Sequence, residues 1–199
     1  HRSLILPQLG APGVASYAIE DETGFKVEYG PIRAEDLPDY LKEHKATPDM
    51  RRVIFPLKER VVLIPVELTA ILMPLLVGTL LIYVLFGFLT AVAALTAVLA
   101  GIVLFPILLP YIPVKDFCAK GLILGLLLSL PFAYVMFGET EGSTWFKALG
   151  ALVYPMVMAP VTAYLSLNFT GCTTFTSRTG VKKEIFTYIL PMAVSFAGG

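Results

Sequence analysis

Residues 61–114, VVLIPVELTAILMPLLVGTLLIYVLFGFLTAVAALTAVLAGIVLFPILLPYIPV, decide the fold class of this chain. The stretch carries one charged residue, Glu67. About 20 apolar residues are enough to cross a bilayer as a helix, so this stretch is long enough for two crossings. Gly87 offers a turn between them. We therefore predict a helical hairpin with helices near 65–87 and 89–111.

Three further runs predict more membrane helices. Residues 121–138, 148–177 and 185–199 contain no Asp, Glu, Lys or Arg. Unbroken apolar runs lack the alternation of a membrane β-barrel and therefore indicate helices. The predicted helices lie near 118–137, 145–167 and 184–199. The last is short for a span, and we expect it to be truncated by the chain end.

The charged residues divide the chain into a polar head and an apolar body. Only 15% of the 199 residues are charged, whereas about a quarter are charged in a soluble domain. Residues 1–60 hold 9 of the 15 Lys and Arg and 10 of the 15 Asp and Glu. We predict a cytoplasmic head at 1–50, a juxtamembrane linker at 51–64 and a transmembrane domain at 65–199. The zero net charge gives no reason to expect a nucleic-acid partner.

The basic residues predict the orientation in a bacterial or archaeal cytoplasmic membrane. Nine of them flank the predicted helices on one side, and only Lys147 lies on the other. The nine are Arg51, Arg52, Lys58, Arg60, Lys115, Lys120, Arg178, Lys182 and Lys183. Because basic loops stay inside, the head and the loops 112–120 and 168–184 should be cytoplasmic. Glu67, near the predicted start of the first helix, is either a functional intramembrane acid or a side chain that reaches water.

The head has a β-α-β-α pattern. Residues 4–6 and 25–30 read as strands, and residues 14–23 and 34–42 read as helices. This alternation predicts two parallel strands. Two strands are too few for an independent domain, so we expect the head to continue upstream of His1.

The loops that follow the two strands are the candidate ligand site of the head. Ligands of parallel sheets bind beyond the carboxyl ends of the strands, which here are the loops 7–13 and 30–33. Gly10, Gly13 and Gly30 either let a ligand approach the backbone closely or only make turns. The pattern leaves both interpretations open.

Four separated motifs resemble one family. They are HRSLILPQLGAPGV at 1–14, GFKVEYGPIRAEDLPDYL at 24–41, ATPDMRRV at 46–53 and NFTGCTTFTSRTGVKKE at 168–184. The chain resembles, over essentially its whole length, the mercury-methylating corrinoid protein family. That family is related to the large subunit of the corrinoid iron–sulfur protein of the acetyl-CoA pathway.

The resemblance implies a fold and an activity. The fold is a partial Rossmann-like α/β corrinoid-binding head followed by an all-α bundle of about five transmembrane helices. A methyltetrahydrofolate-linked donor would methylate the cobalt of a corrinoid (cobalamin), and the methyl group would pass to Hg(II). A ferredoxin-like iron–sulfur protein would re-reduce the cobalt. Two alternatives remain: a corrinoid methyl carrier with another acceptor, and a membrane transporter or anchor with a degenerate head.

The resemblance also indicates residues that bind the corrin or its nucleotide tail, in the loops 7–13 and 29–33. They are Gln8, Leu9, Gly10, Ala11, Pro12, Gly13, Tyr29, Gly30, Pro31 and Arg33. No residue matches the family's Asn-Val-Trp-Cys type motif, whose Cys ligates cobalt, since the only Trp is Trp145, between predicted membrane helices. We therefore assign no catalytic residue, and expect that motif in an upstream part of a longer protein and no activity from this chain alone.

Cys118 and Cys172 are weak candidates for a mercury relay. Both fall in or beside the loops predicted to be cytoplasmic, and soft thiolates suit Hg(II). The alternative is that they are two unrelated small, weakly polar residues.

Overall fold

The computed structural model describes residues 2–53, 55–170 and 178–199. The chain divides into two units, His1–Ile54 and Phe55–Gly199, called here the head and the helical unit. Cys172 and most of the predicted loop 168–184 lie outside the described residues.

The head contains a parallel pair of strands, as the sequence predicts. Strand β1 is Ser3–Pro7 and strand β2 is Lys26–Gly30. They pair in parallel from Ser3 with Lys26 to Pro7 with Gly30. Within the described residues this two-stranded pair is the whole sheet.

Two short helices complete the head. Helix α1, Ser16–Thr23, forms the crossover and ends at Gly24, whose φ of 71° suits glycine in the left-handed region. Helix α2, Leu37–Glu43, follows β2 and buries Tyr40. The backbone N–H of Ile32 donates to the carbonyl of Met50 at 2.9 Å, which ties residues beyond α2 to the loop after β2.

Four helices of the helical unit are long and apolar enough to cross a membrane. Their bounds are Leu57–Phe86, Phe88–Leu108, Phe117–Glu139 and Thr144–Asn168, and their lengths are 30, 21, 23 and 25 residues. At 1.5 Å per residue each one spans the roughly 30 Å of hydrocarbon. The four helices are compatible with the predicted multi-pass membrane protein.

The helices are labelled in chain order. Helix α3 is Leu57–Phe86. The second membrane-length helix consists of α4, Phe88–Leu99, a π-helical segment, Ala100–Leu104, and α5, Phe105–Leu108. Helix α6 is Phe117–Glu139, α7 is Thr144–Asn168 and α8 is Arg178–Gly198.

The start of α3 differs from its prediction. The helix begins at Leu57, within the segment 51–64 that we interpreted as a linker. Apolarity marks the depth of the hydrocarbon, whereas a helix begins where the backbone allows it. Here Pro56 lies at the N-cap and the polar turn Lys58–Arg60 continues the helix. Helix α8 likewise begins before its predicted start at 184.

Helix α3 presents large apolar side chains outward. No residue of its most apolar stretch is buried, and Val84, Leu85 and Phe86 are each about 70% exposed. So large an apolar surface on one helix indicates contact with lipid rather than with water.

The closest helix packing lies between α6 and α7. A Cβ added to Gly121 would stand 2.6 Å from the Cα of Ala163, and one added to Gly125 would stand 2.7 Å from the Cα of Ala159. Small residues four apart on both helices let two backbones approach in a membrane, where dispersion contacts replace the hydrophobic effect. This seam is the centre of the helical unit.

The π-helical segment accommodates a second close contact. A Cβ on Gly101 would lie 2.6 Å from the Cβ of Leu165. The hydroxyl of Thr162 donates to the carbonyl of Ala97 at 3.0 Å, and Thr162 is fully buried. The π-helical segment therefore lies where the second membrane-length helix packs closely against α7.

Candidate functional site

The loops that follow β1 and β2 lie side by side. Pro7 pairs with Gly30, so both chains leave the sheet at the same edge. The predicted juxtaposition of the two loops is therefore present in the backbone. In parallel sheets this edge is where ligands bind.

A cavity of about 260 Å³ opens between the two strand ends. It is lined by two of the predicted site residues, Pro31 and Arg33, and by Pro7 at the start of the predicted loop 7–13. Its other walls were not predicted and consist of Ile5, Leu6, Ile32, Ala34 and Leu37. Leu37 is 36% exposed at the first position of α2. An apolar residue at the first position of α2 is the one sequence signal that could have indicated that Leu37 lines this cavity.

The turn after β1 carries the rest of the predicted residues. Gln8–Gly10 form a 3₁₀ turn, and the N–H of Gly13 donates to the carbonyl of Gly10 at 3.0 Å. Leu9 is 51% exposed, Pro12 is exposed, and Gln8 and Ala11 are half-buried. This turn does not line the cavity, so the structure places the predicted residues in two adjacent surfaces.

Gly10 and Gly13 leave bare backbone on this turn. Among the described residues other than chain neighbours, none has an atom within 4 Å of a Cβ added to Gly10, and a Cβ on Gly13 would meet only the Gly10 carbonyl, at 3.8 Å. Neither residue has a positive φ. Turn geometry and internal packing therefore do not require glycine here, which favours the interpretation that a ligand approaches the backbone.

Tyr29 and Gly30 have internal partners instead. The hydroxyl of Tyr29 donates to the carbonyl of Val14 at 2.6 Å, which holds the end of the turn against β2. A Cβ on Gly30 would stand 2.9 Å from Cγ2 of Ile5 and 3.4 Å from the ring of Tyr40. Gly30 is therefore small because the interior of the head leaves no room.

The turn and the cavity fit the periphery of a corrinoid but offer no cobalt ligand. Without side chains, the half-buried Gly10 and the exposed Gly13 let a ligand come close to the backbone, and the apolar cavity walls suit the edge of a macrocycle or a nucleotide base. No Cys lies in the head. The imidazole of His44 stands at the end of α2, with Nδ1 3.8 Å from Glu28 Oε2. No group of three metal-ligating side chains occurs among the described residues.

Cys118, the described candidate for mercury binding, is enclosed. Its side chain is fully buried, and its backbone N–H donates to Oε2 of Glu184 at 3.1 Å. Asp116 accepts a hydrogen bond from the hydroxyl of Tyr188 at 2.9 Å. These contacts fasten α8 to the beginning of α6. With the thiol closed to solvent and Cys172 outside the described residues, the relay stays a prediction.

Because α3 begins at Leu57 and not near residue 65, Glu67 lies further from the start of its helix than the sequence predicted. It is half-buried and seven residues beyond Arg60, which corresponds to about 10 Å of helix. An acid at that depth can still reach the interface by extending its side chain.

Comparisons with known proteins assign no family to this chain. A scan of family models, a search of curated proteins and a search of solved structures each found no match to this chain. The corrinoid resemblance therefore stays a prediction from the sequence motifs.

Proposed function

We propose that this chain belongs to a membrane-anchored corrinoid-dependent methyltransferase that transfers a methyl group to Hg(II). The observation that carries the proposal is the bare turn at Gly10 and Gly13, beside the cavity at the same edge of a parallel strand pair. The sequence motifs supply the class of ligand. The membrane-length helices agree with the architecture that the resemblance implies.

The residues of this chain would hold one side of the cofactor. The backbone of Gly10 and Gly13 would contact the corrin rim, because a side chain there would fill the space above the turn. Pro31 and Arg33 would border the nucleotide tail in the cavity. Tyr29 would position the turn through its bond to Val14. The Rossmann-like completion of the sheet and the cobalt ligand belong to the proposed upstream part.

The chemistry comes from the bound cofactor and its partners. A corrinoid held by this turn and cavity would supply a methyl-carrying cobalt centre, for which a methyltetrahydrofolate-linked donor would be the methyl source, Hg(II) the acceptor of the methyl group with its bonding electron pair, and a ferredoxin-like iron–sulfur protein the source of the two electrons that restore the cobalt. The head and the loop 112–120 would face the cytoplasm, where these partners are found.

The first test is cobalamin binding by the full-length protein. We expect Gly10→Leu to weaken cobalamin binding at least ten-fold without unfolding the head, because no described residue beyond the chain neighbours of Gly10 has an atom within 4 Å of the added Cβ. The matched control is Ser3→Leu, which places the same leucine side chain at the opposite, exposed end of β1. Equal affinity of the two variants would contradict the placement of the corrinoid on this turn.

The second test is methylmercury formation from Hg(II), with the ferredoxin-like partner and the methyl donor present. Product that falls in Gly10→Leu and persists in Ser3→Leu supports the whole proposal. Cobalamin binding without methylmercury would leave a corrinoid methyl carrier with another acceptor. Absence of cobalamin binding by the full-length protein would favour a membrane transporter or anchor.

A further inference from the structure

A second cavity, of about 440 Å³, lies where α3 begins and the second membrane-length helix ends. Its described lining is Phe55, Arg60, Leu109, Pro110, Val114, Lys115, Phe117 and Lys120. Three of these side chains are basic, and none of the described lining residues is acidic. Like charges so placed, without a carboxylate among them, create a positive potential inside the cavity.

Arg60 is the buried member of this set. Only 8% of the surface of this residue is exposed. Nη1 donates to the carbonyls of Pro106 at 2.8 Å and Ile107 at 3.1 Å, which are groups that the end of α5 leaves unpaired. Nε is buried and has no hydrogen-bond partner among the described residues. A buried cation with only carbonyl partners is incompletely compensated, and an anion would compensate it.

The two lysines extend the positive charge from the wall to the mouth of the cavity. Nζ of Lys120 donates to the carbonyl of Leu109 at 2.6 Å, which holds this ammonium group at the wall. Lys115 is exposed and has no partner among the described residues.

Two acids near the start of α6, Asp116 and Glu184, are engaged elsewhere. Asp116 accepts from Tyr188, and Glu184 accepts from the backbone of Cys118. Neither carboxylate lines the cavity. The charge of the three basic residues is therefore not neutralised by a carboxylate among the described lining residues.

We propose that this cavity binds a phosphate group. The cavity offers one guanidinium and two ammonium groups, and proteins use both kinds of group to recognise phosphate. Arg binds phosphate through its planar set of N–H donors, and Lys binds it as a point charge. The predicted orientation puts Arg60 and the loop 112–120 at the cytoplasmic face, where anionic lipid headgroups concentrate. Phe55, Leu109 and Val114 supply apolar walls for the carbon part of a phosphate ester. The site is independent of the corrinoid proposal.

The test uses the purified chain in phosphatidylcholine nanodiscs. One arm titrates inorganic phosphate by calorimetry, and the other adds phosphatidylglycerol to the nanodisc and counts retained lipid by native mass spectrometry. In whichever of the two experiments shows binding, Lys115→Gln should lower the affinity about five-fold, as expected for one basic side chain near an anionic headgroup. The matched control is Lys58→Gln, which removes an exposed lysine of α3 that does not line the cavity.

The outcomes separate the sources of the phosphate group. Saturable binding in the lipid arm alone assigns a headgroup site, and saturable binding of inorganic phosphate assigns a site for a soluble phosphate. Either result supports the proposal when Lys115→Gln weakens it and Lys58→Gln does not. No saturable binding in either arm, or equal loss in both variants, would overturn it.

Discussion

Gly121 lets α6 and α7 approach closely, and its replacement by alanine should destabilise the helical unit. Alanine normally stabilises a helix by about 1 kcal/mol relative to glycine. Here the added Cβ would lie 2.6 Å from the Cα of Ala163 and 2.6 Å from Oγ of Ser166. The backbone of Ala163 cannot rotate aside, so the two helices must separate. Overpacking of this kind costs about 1–3 kcal/mol.

The matched control is Gly78→Ala, because no atom lies within 4 Å of the added Cβ in the middle of α3. We expect the unfolding temperature of Gly121→Ala to be roughly 2–12 °C lower than that of Gly78→Ala, because each kcal/mol shifts the midpoint by about 2–4 °C in a chain of this size. Thermal unfolding in detergent, followed by the loss of the monodisperse protein peak, measures the difference. Unfolding of Gly121→Ala at or above the temperature of Gly78→Ala would refute the close packing of α6 and α7.

Two further predictions concern orientation and the fastening of α8. In a cysteine-free background, Ser143→Cys should react with an impermeant maleimide added outside the cell, and Lys115→Cys should react only after permeabilisation. The reason is that the positive-inside count puts Lys115 in the cytoplasm. The reverse labelling pattern would show that the topology is opposite to the predicted one. Glu184→Ala should destabilise the first turn of α6 by about 1–2 kcal/mol, because the backbone N–H of Cys118 loses its acceptor. In a Cys172→Ser background the buried Cys118 thiol should then react about 5–30-fold faster with a small thiol reagent, and an unchanged rate would contradict this role of Glu184.

The sequence predicts the middle of each membrane helix well because the physical cause is local. A single segment can satisfy its own backbone in hydrocarbon only as a helix, and these unbroken runs lack the alternation of a barrel strand, so each apolar run predicts a helix. The predicted helix at 145–167 and the observed Thr144–Asn168 agree for this reason. The start of α3 at Leu57 has a different cause, since this end lies outside the apolar run.

The buried state of Arg60 could not be predicted from its neighbours. The sequence places it in a basic cluster before the first apolar run, which is typical of a residue at the cytoplasmic interface. Its hydrogen-bond acceptors are the carbonyls of Pro106 and Ile107, 46 and 47 residues away. Such a contact depends on how the end of α5 packs beside α3, and no short-range pattern encodes it.

The glycines of the head show how the candidate site depends on information beyond sequence. Gly10 and Gly30 follow β1 and end β2, and the pattern gives both the same two interpretations. In the structure the missing side chain of Gly10 faces open space, whereas that of Gly30 faces Ile5 and Tyr40. Loss of cobalamin binding on substitution of Gly30 would therefore report the packing of the head as much as the ligand. Of these two positions, Gly10 is the one where a substitution changes the proposed ligand surface and leaves the interior intact, so it discriminates a corrinoid site from a structural turn.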